Sequence, residues 1–447
     1  MNGAAGVFGK VPEPRMREFI ASQRWFGAKN REIAEFVVLD EIDLASGPGS
    51  LVSSLIEIRF SGGTHDVYQL LARPGSSDNL EAVLDVFGEP AAVARLIELT
   101  AGDAVVTSDA GAVEFSSLRG LPDPTGIFVR PLGVEQSNSS VVVDDQLIVK
   151  LYRRLEPGVN PELELLRFLS RTGFPNVPEL RGWWGYSGAP MTATLGIAQR
   201  FLPDARDGWE LGRSLLTTAP SSFLDTLQGL GSVVGAMHSA LASDRDDPAF
   251  APETASPEAL GLLTATIDDE IELVFDHLPD DKAVAPISGR GEVVRQVLHG
   301  LATAGSVGQL IRLHGDLHLG QVLRAENTWF VIDFEGEPAR SLPERRAKHS
   351  PLRDVAGMLR SLSYLAAVTG HSGDQLEAQA RELFLDGYLD AVQSAGILPP
   401  SPQLERLISI FELEKVVYEL RYELDHRPDW VHIPVSALER MLEHEGA

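Results

Sequence analysis

Two neighbouring segments constrain this chain more than any other feature: Leu313-His314-Gly315-Asp316-Leu317-His318-Leu319-Gly320-Gln321 and Trp329-Phe330-Val331-Ile332-Asp333-Phe334-Glu335. A loop carboxylate is followed five residues on by a side-chain amide. Twelve residues beyond that amide, a short apolar run ends in a second carboxylate. Such a run bounded by polar residues reads as a buried strand, which puts Asp333 at a strand end and Asp316 and Gln321 in the loop before it. Phosphoryl transfer to an alcohol needs a carboxylate to orient the acceptor hydroxyl and oxygen ligands to hold Mg²⁺ on the nucleotide phosphates. Mg²⁺ takes hard oxygen ligands and keeps several waters, so a carboxylate plus an amide oxygen is adequate on the protein side.

The rest of the sequence divides into three sections. Residues 1–95 read as a sheet-bearing module, with strands at Phe36–Leu39, Leu51–Phe60 and His65–Ala72 separated by Gly-rich turns, then a helix at Ala91–Thr100. Residues 96–203 read as a second β-rich section. Ser139–Val143 and Gln146–Leu151 flank Asp144-Asp145 as a hairpin, and Asn160-Pro161 opens a helix carrying Leu163, Leu166 and Leu169. Residues 204–447 are predominantly helical. Leu224, Leu227, Leu230, Val234, Met237 and Leu241 mark one buried amphipathic helix, and His238 on it is expected to be a satisfied core histidine. The glycines at 229, 231 and 235 of this helix lack the preceding strand and turn of a dinucleotide fingerprint and are read as helix packing.

Composition excludes several classes. The 447 residues carry a formal net charge of −26, which speaks against nucleic acid, whose binding draws on clustered Lys and Arg. There are no cysteines, so disulfides, thiol nucleophiles and thiolate metal sites are excluded. No apolar run is long enough for a signal peptide or a membrane span, and the expected location is the cytoplasm.

The catalytic segments resemble those of the aminoglycoside phosphotransferase and protein-kinase-like superfamily, in which HGDxxxxN is followed by an Asp-bearing strand. The resemblance implies that Asp316 is the catalytic base and Asp333 the principal Mg²⁺ ligand. Gln321 stands where that superfamily usually has Asn, and is expected to make the second metal contact. This Gln, together with Asp333-Phe334-Glu335-Gly336-Glu337-Pro338, is similar to the maltokinases and related actinobacterial glucosamine kinases. The polar loop around Gln136-Ser137-Asn138-Ser139-Ser140 resembles their phosphate loop. It is rich in small hydrogen-bonding residues that let backbone N–H groups approach phosphates, and no Walker A loop occurs in the chain. Lys150 matches the kinase lysine that grips nucleotide phosphates. Glu164 is the expected partner, with Glu162 on the same helix remaining open because spacing alone cannot choose. Gln199 and Phe201 resemble the adenine-binding hinge, and Asp354 matches a family Asp with an expected anchoring role.

For the acceptor, a helix over Phe411–Leu424 carries Lys415, Tyr418, Glu419 and Tyr422 at offsets 0, 3, 4 and 7, which makes them neighbours on one ridge. Tyrosines with a cation and a carboxylate suit a sugar, and Trp430 offers a further stacking surface. This stretch resembles the maltokinase C-terminal pattern, and His318 is assigned to the acceptor with it. The start of the chain, Gln23-Arg24-Trp25-Phe26-Gly27-Ala28-Lys29, resembles the maltokinase cap. The expected architecture is therefore an α+β, bilobal, protein-kinase-like fold with an N-terminal cap module and the site in the cleft between the lobes. The expected activity is ATP- and Mg²⁺-dependent phosphorylation of a small sugar, glucosamine at its 6-hydroxyl, with no nucleic-acid or membrane partner. An amino sugar is favoured by the acids near the acceptor helix: Glu414, Glu419, Glu423 and Asp425, besides Asp316 and Glu335. A buried ammonium needs a paired carboxylate. Maltose phosphorylated at its anomeric position is the alternative; an antibiotic-modifying kinase and a pseudokinase scaffold are less favoured. Oligomeric state is not legible.

Overall fold

The structure is a computed structural model that describes residues 7–8, 11–47, 50–73, 84–133, 138–256, 258–302 and 307–444. The chain packs as two units. One comprises residues 1–170 and 178–204, the other 171–177 and 205–447. Among the described residues, no helix is long and apolar enough to cross a membrane.

The first unit opens with helix α1 (Glu13–Ser22) and three antiparallel strands, β1 (Ile33–Ala45), β2 (Leu51–Phe60) and β3 (His65–Ala72). Apolar side chains of these strands, among them Ile56, Phe60 and Tyr68, form a core with α1 and with Trp25 and Phe26 of the segment that follows it. Helix α2 (Pro90–Ala101) leads to β4 (Val105–Thr107), β5 (Gly111–Ser117), β6 (Val129–Pro131), β7 (Asn138–Val143) and β8 (Leu147–Tyr152). Next come β9 (Arg154–Leu155), helix α3 (Pro161–Arg171), β10 (Leu180–Gly188) and β11 (Thr192–Arg200). The larger sheet has the order β4-β5-β10-β11-β8-β7-β6, and β9 joins the first sheet alongside β3. The division expected near residue 95 thus falls inside one packed unit. Three residues, Asp144-Asp145-Gln146, connect β7 and β8. Asp144 and Asp145 both have positive φ (50° and 51°), and the Gln146 N–H closes the turn onto Val143 O at 2.9 Å, so the expected turn is present with Gln146 outside the strand.

The second unit is helical around a small sheet. It contains β12 (Arg206–Asp207), α4 (Gly208–Thr218), α5 (Pro220–Leu241), β13 (Glu253–Thr254), α6 (Ala259–Asp276), α7 (Gly291–Leu301) and β14 (Gln309–Leu310). These are followed by β15 (Val322–Ala325), β16 (Thr328–Val331), α8 (Leu342–Arg345), α9 (Leu352–Val368), α10 (Gln375–Val392), α11 (Gln403–His426) and α12 (His432–His444). Helix α5 is buried along Phe223, Leu227, Leu230, Val234, Met237 and Leu241. Gly231 and Gly235 lie at its crossing with α10, where a Cβ would collide with the backbone of Phe384 and Tyr388. The glycines therefore permit close helix approach. His238 is fully buried between the Tyr388 hydroxyl and the Asp354 carboxylate, each 3.1 Å away.

Candidate active site

In the first unit, Lys150 sits in mid-strand on β8, paired with Ser140 of β7 and Ile197 of β11. Its Nζ donates to Glu162 Oε2 at 2.9 Å, and the Tyr152 hydroxyl donates to the same oxygen at 2.7 Å. The expected partner Glu164 is corrected to Glu162. Helix α3 begins at Pro161, with the Asn160 side chain accepting the Glu162 N–H at 2.8 Å. Two residues along an α-helix turn a side chain through about 200°, so only one of the two acids can face β8. Glu162, buried to 2% exposure, is that one.

Of the expected phosphate loop, Gln136 and Ser137 lie outside the described residues. Asn138, Ser139 and Ser140 begin β7, where Ser139 Oγ accepts from Arg153 Nε at 2.8 Å. At the expected hinge, Gln199 is buried within β11. The Phe201 N–H donates to Gln146 O at 2.8 Å, which takes that donor away from a purine.

In the second unit, the loop carrying Asp316 is fixed by Asp354, whose two carboxylate oxygens accept the N–H groups of His314 (2.9 Å) and Gly315 (3.0 Å). Burial pushes the Asp354 carboxyl up. His238, His314 and the Gly315 N–H outweigh that and hold it below the usual carboxylate range. Asp354 is thus a loop anchor. His314 Nε2 donates to Ile332 O at 2.9 Å, and its Nδ1 accepts the Asp316 N–H at 3.3 Å. Gly315 turns the chain with φ of +86°, a conformation that glycine adopts without penalty. The Leu319 N–H ties the loop to Ser361 of α9 at 3.0 Å.

The twelve-residue interval between Gln321 and Asp333 is a β-hairpin. Pairing of Val322 with Val331 across β15 and β16, around the positive-φ turn Glu326-Asn327, sets the residues just outside the two strands side by side. Gln321 Nε2 donates to Asp333 Oδ2 at 3.1 Å, which leaves the Gln321 carbonyl oxygen as the amide atom available to a cation. Asp333 has φ of +61°, a strained conformation for a non-glycine residue that is concentrated at functional sites. A carboxylate oxygen of Glu335 lies within 4.8 Å of one from Asp333. This donor set, two carboxylates and an amide oxygen, fits Mg²⁺. Glu335 as part of a cation site was not read from the sequence, although its i+2 spacing from Asp333 was visible.

Beside Asp316 opens a cleft of about 270 Å³, lined by residues of the Asp316 loop, α6, α9, α11 and the segment after Asp333. Lys415 Nζ stands 3.9 Å from Asp316 Oδ1 and 5.2 Å from the centre of the Tyr418 ring. Burial, then the fields of Glu337 and Asp316, push the Tyr418 phenol up to about 12, so it stays protonated as a donor. The other expected acceptor residues do not line this cleft. Glu419 is bound by Arg360, with Nη2 to Oε2 at 2.8 Å, because that buried guanidinium on α9 claims it. Tyr422 is exposed and stacks on His426, and Trp430 stacks on Tyr364. His318 turns its Nδ1 onto the Gly320 N–H at 3.0 Å, and burial pushes its pKa down.

The charge argument for the acceptor changes accordingly. Glu414 is bound by Arg353, Glu419 by Arg360 and Glu423 by Arg427. Lining the cleft among the described residues are six carboxylates, the bound Glu414 and the anchor Asp354 among them, and four cations. Glu337, which sequence reading did not assign to the acceptor, is one of them. Burial pushes its carboxyl up, and Lys415, Arg340 and Arg353 outweigh that, so it remains ionised.

The first unit holds a strand lysine paired with a helix glutamate, and the second holds a loop carboxylate and a paired amide and carboxylate; each is a feature of kinase-like phosphotransferases that act on a hydroxyl. Residues 129–336 match the phosphotransferase enzyme family, and residues 19–110 match the maltokinase N-terminal cap domain. A glucosamine kinase of Mycolicibacterium smegmatis is 31% identical over 340 residues, 70% of this chain and 79% of the relative. A glucosamine kinase of Streptacidiphilus jiangxiensis is 29% identical over 393 residues, 83% and 82% of the respective chains. The chain belongs to the phosphotransferase family that these capped kinases form. The fold is shared with a solved glucosamine kinase in complex with glucosamine, ADP and inorganic phosphate. That structure has a TM-score of 0.70 and 22% identity, and the match covers 95% of this chain and 98% of the other.

Proposed function

We propose that this sugar kinase transfers the γ-phosphoryl group of ATP to the 6-hydroxyl of glucosamine. The observation that carries the reading is the Asp316 carboxylate at the wall of a cleft whose carboxylates outnumber its cations by two among the described residues. Such a surplus suits an ammonium-bearing sugar, because a cation removed from water needs a compensating anion. The curated relatives named glucosamine kinase support the same choice.

In this reading Asp316 accepts the proton of the acceptor hydroxyl, while Lys415 and Tyr418 orient the sugar. Asp333, Gln321 and Glu335 would hold Mg²⁺, which neutralises phosphate charge when bound. Lys150, kept in place by Glu162, grips the nucleotide phosphates, assisted by the loop through Asn138, Ser139 and Ser140. ATP as donor fits a cytoplasmic reaction. A second reading, maltose phosphorylated at its anomeric hydroxyl, draws support from the cap, which matches the maltokinase type.

The test is a side-by-side kinase assay with glucosamine, N-acetylglucosamine, glucose and maltose, with NMR location of the phosphate. Turnover of glucosamine but not its N-acetyl form is expected; efficient maltose turnover with glucosamine inert would refute the reading. Asp316→Asn should reduce kcat by at least about 100-fold while nucleotide affinity stays within about twofold, as removal of a base requires.

A further inference from the structure

Arg153 lies between β8 and β9 and is 2% exposed. Its Nη2 donates to both carboxylate oxygens of Asp85, at 2.9 and 2.7 Å, and its Nε donates to Ser139 Oγ at 2.8 Å. The guanidinium carbon lies 5.2 Å from the Trp25 ring and 5.7 Å from that of Phe87. The backbone is tied in as well. Arg153 O accepts the Gln69 N–H at 2.8 Å, and β9 pairs with β3 through Leu155–Val67 and Arg154–Tyr68.

These contacts join two parts of the first unit with different tasks. Trp25, Asp85 and Phe87 belong to the region that matches the cap. Ser139 is the second residue of β7, at the edge of the loop read as the phosphate grip, and Lys150 is three residues before Arg153 on the same chain. A buried guanidinium has a fixed fork of donors, so holding a carboxylate on one side and a hydroxyl on the other fixes their relative position.

We propose that Arg153 is a positioning residue for the nucleotide, through which the cap region holds Ser139 in register with Lys150. Fixing Ser139 before ATP arrives removes part of the entropy cost of binding, so its loss appears in nucleotide affinity more than in the chemical step. The inference rests on the reading of Ser139, Ser140 and Lys150 as part of the phosphate site.

The experiment measures equilibrium binding of a fluorescent ADP analogue, together with the melting temperature, for Asp85→Asn, Ser139→Ala, the double variant and Lys150→Ala. Asp85→Asn keeps the side-chain shape but removes the charge that orients the guanidinium. It should weaken ADP binding about tenfold, as loss of one charge-assisted hydrogen bond would. Ser139→Ala should weaken it similarly, and the double variant should be no weaker than the worse single variant, because both act through one guanidinium. In steady-state assays, KM for ATP should rise while kcat stays within twofold. ADP affinity unchanged in both single variants, or effects that simply multiply in the double, would overturn the proposal. Lys150→Ala separates the two levels. If it leaves ADP binding intact, the phosphate-site reading fails; if it abolishes binding while Asp85→Asn does not alter it, only the role of Arg153 fails.

Discussion

Glu162→Ala tests the pairing on which the nucleotide reading depends. The Lys150 and Glu162 side chains are 10% and 3% exposed, and Glu162 also accepts the Tyr152 hydroxyl. Truncating the acid removes the carboxylate oxygen that both the buried ammonium and the buried phenol contact. Removal of one member of a buried pair costs about 3–5 kcal/mol. For a unit of about 200 residues each kcal/mol lowers the melting temperature by roughly 2–4 °C, so a fall on the order of 10 °C is expected. Differential scanning fluorimetry on Glu162→Ala and Glu164→Ala, with circular dichroism to confirm folding, supplies the comparison. Glu164→Ala should shift the midpoint by less than Glu162→Ala does, because Glu164 is only partly buried whereas Glu162 is 2% exposed. Replacing both members, with Lys150→Met and Glu162→Leu, should recover most of the lost stability, since an apolar pair of similar volume leaves no stranded charge. That double variant should nevertheless bind nucleotide poorly, which separates the structural from the functional contribution of the lysine. Equal destabilisation by Glu162→Ala and Glu164→Ala would refute the assignment, as would full nucleotide affinity in the double variant.

Two further outcomes follow from the second unit. Asp333→Ala should weaken Mg²⁺-dependent nucleotide binding by at least about tenfold, with glucosamine binding within twofold, whereas Gln321→Asn should be tolerated. Isothermal titration at several Mg²⁺ concentrations checks this, and wild-type behaviour of Gln321→Ala would remove Gln321 from the metal site. His349 is held down at about 4, first by burial and then by the Arg353 and Arg340 guanidiniums. Because the unfolded chain takes up this proton near pH 6.5 and the folded one does not, stability is greatest above that pH. It falls as the pH drops toward 4, by up to about 3 kcal/mol. Urea denaturation of wild type and His349→Gln should show a shallower acid slope in the variant; identical slopes would refute the assignment.

Much of this protein was decided by sequence alone, wherever the determining interaction is local. The Asp144-Asp145 turn, the amphipathic helix around Leu227 and Val234 and the strand that ends at Val331, two residues before Asp333, depend on side-chain period and turn chemistry within a few residues. The interval from Gln321 to Asp333 belongs to the same class, because a tight turn with two four-residue strands returns the chain to its starting point. The choice between Glu162 and Glu164 was not local. Both lie on one helix, and the deciding fact is which of them faces β8. The acceptor helix shows the same limit more sharply. Its sequence offers Glu414, Glu419 and Glu423 as equals for a bound ammonium, yet Arg353 and Arg360, both on α9, claim the first two, and Arg427 claims the third. Glu337, Arg340 and Glu270 reach the Asp316 cleft from segments far apart in the chain. A carboxylate's availability is set by the nearest cation in space, and that distance exists only once the helices have packed.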